Sequence, residues 1–326
     1  MRRKKFFMLI FCLVFLAGTS AEGKSGEEVT PSSDPPVKLS GYNQVRYTYQ
    51  EEGFHGFRIR RARVRLKGDL LEDITYTLQV DVTQSPILLD AHVGIDFVSQ
   101  AKLSFGQFKV PFSLENLTSS SALDTINRSL TVEKLCPGRD IGSKGRDIGV
   151  AIKGRLSEIE YTVGIFNGSG INKTDDNDRK DIAGRFVFHL FRNLSFGLSY
   201  YNGRYGFHPG DPAVKRNRSG IDIIFVQQEF SIKGEYIFAR DDQTEKYGWY
   251  LQGGYFIMPE KIQAIVRYDS FDKNKDTRED RIDVIIFGMN WFFSNKTKFQ
   301  INYEYHKGES EEDSGNVILV QFQAGF

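Results

Sequence analysis

The feature that most restricts this chain of 326 residues is a two-residue alternation of apolar and polar side chains. It begins at Val37 and recurs to the last residue, Phe326. Successive side chains of an extended chain point to opposite faces, so each such segment has one apolar and one polar side. In Lys298–His306, Phe299, Ile301, Tyr303 and Tyr305 oppose Lys298, Gln300, Asn302, Glu304 and His306. About sixteen segments follow this pattern, each near the ~9–11 residues that cross a bilayer when tilted. The connectors sort by parity. After even-numbered segments they are tiny, as at Glu72-Asp73, Ser157-Glu158 and Arg192-Asn193. After odd-numbered segments most are long and polar, as at Gly168–Asp181, Ser270–Asp280 and Lys307–Asn316. Short periplasmic turns on one rim and long external loops on the other account for this sorting, which a soluble sandwich has no reason to show. The expected fold is all-β: a 16-stranded antiparallel transmembrane β-barrel in the outer membrane of a Gram-negative-type envelope.

The first 36 residues stand apart from that pattern. Arg2, Arg3, Lys4 and Lys5 precede an apolar run from Phe6 to Leu16 and the small residues Thr19-Ser20-Ala21, which reads as a secretory signal peptide over residues 1–21. Residues 22–36 are polar with three prolines and read as a flexible leader, leaving 37–326 as the barrel. The whole chain has 43 basic and 42 acidic residues; removing four basic and no acidic residues leaves 39 against 42. The mature chain is not globally cationic, so any preference for anions has to come from where its charges sit. It keeps one cysteine, Cys136, and therefore has no internal disulfide and no Cys-based metal site.

The charges gather in two places. From Arg61 onward, Arg61, Arg63, Arg65 and Lys67 alternate with Ala62, Val64 and Leu66, which puts four cations on one face; Arg60 lies near the rim of the same strand. Facing lipid would cost up to ~2–4 kcal/mol for each midplane Arg or Lys, so this face lines a wet interior. The second place is Pro111–Gly145, a connector far out of scale with the rest and the third on the external side. Between Lys102 and Arg155 there are nine basic residues against five acidic. Lys109, Arg128, Arg139, Lys144 and Arg146 are the candidates there for meeting an anion, and Asp81, Asp90 and Asp96 on neighbouring strands are the candidate counter-charges.

Several motifs carry a family resemblance. Phe57–Gly68 (F-R-I-R-R-A-R-V-R-L-K-G), Gln79–Asp81, Leu88–Ala91, Gly106–Glu115 (G-Q-F-K-V-P-F-S-L-E), Ser119–Leu130 and Pro137–Gly142 (P-G-R-D-I-G) occur in that order. Together they resemble the phosphate-selective porin O and P family. The resemblance implies a homotrimer of sixteen-stranded barrels whose third loop folds into the lumen. It further implies arginines along the lumen wall, here Arg60 and Arg61, with Lys109 at the loop entrance, guiding phosphate or similar small inorganic anions. The later half, in which Arg185, Arg267 and Arg281 are scattered, shows no matching row, and the doubled G-R-D-I-G at Gly138–Gly142 and Gly145–Gly149 departs from the family.

Other functions fit poorly. The five histidines are scattered without metal-ligand spacing, no nucleophile-elbow pentad occurs, and Gly138–Lys144 lacks P-loop spacing, so neither an enzyme nor a cofactor is expected. Nucleic-acid binding is excluded by compartment. The terminal Phe326 resembles the signal by which outer-membrane assembly machinery recognises its clients, and the apolar faces require lipid. Two channel readings stay open: selective anion passage, or general diffusion if the arginines are braced by Asp81, Asp90, His92 and Asp96.

Overall fold

Sixteen strands alternate along the chain with turns on one rim and, apart from the two-residue turn at Asp242-Gln243, longer connections on the other. They are Lys38–Gln50 (β1), His55–Leu71 (β2), Ile74–Asp81 (β3), Leu88–Val98 (β4), Ala101–Lys109 (β5), Arg146–Leu156 (β6), Ile159–Phe166 (β7), Asp181–Phe191 (β8), Leu194–Tyr205 (β9), Val214–Gln227 (β10), Phe230–Asp241 (β11), Thr244–Met258 (β12), Ile262–Asp272 (β13), Arg281–Phe292 (β14), Lys298–Lys307 (β15) and Gly315–Gly325 (β16). Every strand pairs antiparallel with its neighbours, and β1 pairs with β16 to close the ring. Phe326 completes the seam, its N–H donating to the Gly41 carbonyl at 3.0 Å while Gly41 donates back at 3.2 Å. This computed structural model describes residues 37–326 apart from 52, 99, 178, 207–212, 278–279 and 309–313. The signal peptide and leader expected over residues 1–36 lie outside the described residues.

The period-two pattern resolves into an apolar outside and a polar inside. Phe57, Ile59, Phe287 and Trp291 are exposed on the outer face, whereas Gln44, Gln252, Gln300 and Gln321 are fully buried on the inner one. A bilayer supplies no hydrogen-bond partners, so a closed ring of paired strands is what lets backbone cross it.

The connection between β5 and β6 carries two short helices, Leu114–Leu117 (α1) and Leu130–Leu135 (α2), capped by the side chains of Ser113 and Ser129. Val110, Phe112, Val132, Leu135 and Cys136 pack against Phe166, Tyr201, Ile237, Tyr250 and Phe271 from β7, β9, β11, β12 and β13, and this is the main hydrophobic core. On the same side Glu235 of β11 accepts from the N–H groups of Leu114 and Glu115 at 2.9 and 2.8 Å, and Asp269 of β13 accepts from Leu130 N at 2.6 Å. Fewer contacts reach the other side, among them Arg63 of β2 to Ser120 Oγ at 3.3 Å and Gln323 of β16 to the Ser121 carbonyl at 3.2 Å. The connection is thus bound mainly to β9–β15 and leaves its other flank toward β2–β6 polar.

Candidate functional site

On β2 the register against β1 slips once. Gln44 pairs with Arg61 but Val45 pairs with Ile59, so Arg60 is an extra residue, a β-bulge. Alternation restarts there, and two consecutive arginines face inward. Above the bulge Arg58 and Arg60 oppose the outward Phe57 and Ile59; below it Arg61, Arg63, Arg65 and Lys67 continue the row. The sequence places Arg60 near the rim; the bulge seats it beside Arg61 instead. Arg58 lies beyond the bulge, outside the strict alternation that starts at Arg61, so the sequence pattern does not mark it. Arg46, opposite Arg58 on β1 and buried, is not among the expected residues either, although Gln44, Arg46, Thr48 and Gln50 alternate with Val45, Tyr47 and Tyr49.

The row meets the third long connection around a cavity of about 190 Å³. Eight cations line it (Arg60, Arg61, Arg63, Lys109, Arg128, Arg139, Lys144 and Arg146) against two carboxylates, Asp81 and Glu133. A second cavity, of about 340 Å³, shares Arg63, Lys109, Ser120 and Arg146 with the first and extends past Arg65 to Lys153, another cation missed from the sequence. Nine of the ten expected pathway cations therefore come together in two adjoining spaces. Lys67 borders neither.

Three of the eight cations are neutralised. Arg63 Nε donates to Asp81 at 2.8 Å, Arg139 to Glu133 at 2.8 Å, and Arg146 forks onto Asp90 at 2.7 and 3.2 Å. The other five have no carboxylate partner among the described residues. Arg61 donates to Gln44 Oε1 at 2.8 Å, Lys109 to the carbonyls of Leu117 and Thr118 at 3.0 and 2.9 Å, and Arg128 to the carbonyls of Glu115 and Thr118 at 3.0 and 2.7 Å. Arg60 Nε is buried without a partner. Asp81 and Asp90 thus each pair with one of these cations, whereas Asp96 pairs with Lys102 at 3.2 Å in a separate, more exposed space. In the connection itself, burial and the neighbouring Arg60 hold the Lys144 ammonium below its ordinary value. Burial would raise the Glu133 carboxyl, but Arg139 and Arg128 beside it outweigh that and hold it low.

The doubled G-R-D-I-G is divided between these tasks. Both arginines face the 190 Å³ cavity, while Asp140 turns away to Arg216 and Arg218 of β10 at 2.5 and 2.9 Å. Asp147 accepts instead from the N–H groups of Gly168 and Gly170 at 2.6 and 3.3 Å. Gly138, Gly142 and Gly145 hold positive φ of 77°, 75° and 74° in the turns that run through the first copy and into the second. Arg216 and Arg218 correct the expectation that no closely spaced arginines exist in the later half. Both lie near the start of β10, which begins at Val214.

A family model described as phosphate-selective porin O and P matches residues 39–211 and 207–326. The chain belongs to this family. The porin also resembles solved barrels. One is OmpT, an outer membrane protein of Vibrio cholerae, with a TM-score of 0.68 at 12% identity, covering 89% of this chain and 97% of that one. Another is an anion-selective porin from Comamonas acidovorans, with a TM-score of 0.67 at 14% identity, covering 90% and 100%. A protein of Aquifex aeolicus described as uncharacterized is 24% identical over 281 residues, which is 72% of this porin and 67% of that protein. Family and fold agree on an outer-membrane channel protein.

Proposed function

We propose that this porin forms a water-filled, anion-selective channel for passive diffusion of phosphate or similar small anions, with the third long connection lying across the bore as its constriction. The observation that carries the reading is the 190 Å³ cavity, where eight cations face two carboxylates. Arginine presents a rigid fork of donors that matches phosphate oxygens. Inward residues on one strand repeat every ~6.6 Å, within the ~8 Å screening length at physiological salt, so neighbouring anion positions overlap and an ion can step along the row. Lys153 continues the positive path toward the periplasmic rim.

The reading includes a homotrimer, recognition of Phe326 by the assembly machinery, a lipid-covered outer face, and no catalytic centre. One of the similar solved structures is described as a trimer form of OmpT. His189 does contact Ser195 Oγ at 2.9 Å and Glu160 at 3.0 Å. His189 and Ser195 are directly paired across β8 and β9, and we read the contact as cross-strand bracing. Ester-cleavage assays on the purified protein are therefore expected to be negative.

The deciding experiment is the zero-current potential in a planar bilayer under a KCl gradient, repeated with added phosphate. A potential close to the chloride limit, with phosphate blocking chloride current at low concentration, is the expected result. A potential near zero without block would make this a general diffusion porin whose arginines brace the wall.

A further inference from the structure

Inward apolar side chains of this barrel are largely covered by the third connection. At the external end Leu130 of α2 and the buried Phe271 of β13, Ile282 of β14 and Leu319 of β16 also line a cavity of about 620 Å³, separate from the two basic ones. Among the described residues its polar wall is mostly cationic: Arg46, Lys134, Lys246 and Lys273 face one carboxylate, Glu304. That carboxylate is already occupied, accepting from Asn127 Nδ2 at 3.2 Å and contacting His306 Nε2 at 3.2 Å. Lys246 is tied to Asp241 at 2.9 Å. Arg46 is 6% exposed and donates from Nη1 to Asn127 at 2.9 Å, while its Nε is buried without a partner. Lys134 is exposed and has no ion pair among the described residues.

A bare inorganic anion can use the cations of this cavity but gains nothing from its hydrocarbon. A neutral hydrocarbon would use the apolar wall and leave Arg46 and Lys134 without a counter-charge. The space also falls within the ~300–1,000 Å³ typical of small-molecule sites, most of which combine an apolar lining with a few placed polar groups. We propose that this vestibule cavity binds organic anions with a compact hydrocarbon body, such as arylcarboxylates. The carboxylate sits on Arg46 and Lys134, and the ring on Leu130, Ile282 and Leu319. Binding here lies external to the basic row and does not depend on the row selecting inorganic anions.

The test is calorimetric titration of sodium 2-naphthoate into the full-length, detergent-solubilised porin at neutral pH. Saturable binding is expected, weaker by about tenfold for 2-naphthalenemethanol, which lacks the charge, and for acetate, which lacks the ring. Lys134→Gln and Leu319→Asn should each weaken naphthoate by about fivefold or more, while Arg61→Gln on the basic row should leave it unchanged. Heat-modifiable gel migration verifies that each variant is a closed barrel, with Leu319→Ala substituting for Leu319→Asn if the latter does not close. Absence of saturable binding overturns the proposal, as does equal affinity for the alcohol, which would indicate simple partition. Loss of binding in Arg61→Gln would place naphthoate on the basic row and also overturns it, without touching the reading of the row itself.

Discussion

The β2 wall and the wall opposite it use the same side chain to different ends. Arg60 and Arg61 have no carboxylate partner, and the next cation inward, Arg63, keeps only Asp81. Across the barrel Arg185 pairs with Asp222, Arg216 with Asp140, Arg218 with both Asp140 and Asp241, and Arg267 with Glu115 at 2.5 Å. Asp140 and Glu115 belong to the third connection, so on that side arginine serves as an anchor and its charge is spent on holding the connection in place. On the β2 side two cations ~6.6 Å apart repel by roughly 0.6 kcal/mol in water and ~2.5 kcal/mol at an effective dielectric of ~20, a cost that an anion between them relieves. Whether a wall attracts anions is therefore decided by where its carboxylates lie and not by how many arginines it has.

The sharpest way to break this contrast is to reverse the unpaired charges. Arg60→Glu with Arg61→Glu should carry the reversal potential under a KCl gradient across zero to the cation side and weaken phosphate block by more than about tenfold. A variant that stays anion-selective would remove the row as the cause of selection. The next effect acts on the opposite wall. Asp140→Asn leaves Arg216 without an acidic partner and Arg218 with Asp241 alone, and loss of one member of a buried pair costs about 3–5 kcal/mol. The temperature of the heat-modifiable gel shift should fall, while the chloride preference should rise slightly as charge is uncovered. An unchanged shift temperature would mean that Asp140 does not pin the connection.

What the sequence displays of this contrast is uneven, for local reasons. Alternation and loop parity disclose the barrel, and Arg61, Arg63, Arg65 and Lys67 stand out because apolar residues separate them. Arg58 is hidden by the bulge at Arg60, since one extra residue inverts the phase and nothing in F-R-I-R-R announces it. Arg216 and Arg218 are hidden for another reason: their outward neighbours Lys215 and Asn217 are polar, so no apolar phase marks the strand, and only pairing with β9 and β11 reveals it. The partners of the third connection are the least legible. Glu115 meets Arg267 across 152 residues of sequence, and local pattern carries no trace of such a contact.

A smaller effect separates the connection's own cations from the strand row. Lys144 is held below its ordinary value by burial and by Arg60, so as pH rises it becomes neutral before an ordinary lysine would. Anion preference should therefore decline on the alkaline side while the β2 arginines remain charged. The same shift means that the folded barrel bears a cost for the charged form at lower pH. That cost is relieved as pH climbs from the folded to the unfolded value of this group, so selectivity falls without loss of stability from Lys144. Lys144→Gln should remove this part of the pH profile; a profile unchanged in the variant would assign the titration to another group.

The smallest effect is expected at Lys67, which ends the row on the periplasmic side and borders neither basic cavity. It lies six residues from Arg61, roughly 20 Å along the strand, more than twice the ~8 Å screening length at physiological salt. If anions are selected by contact with the cations around the 190 Å³ cavity, Lys67→Gln should leave the reversal potential and phosphate block unchanged there. At ~0.01 M ionic strength the screening length grows to ~30 Å, and Lys67 then adds to the field that draws anions along the wall. The variant should accordingly show slower phosphate association at low salt only, read as fewer blocking events per second at fixed phosphate. An effect of equal size at both salt concentrations would mean that the ion touches Lys67, and that the selective stretch of the β2 wall runs the full length of the row.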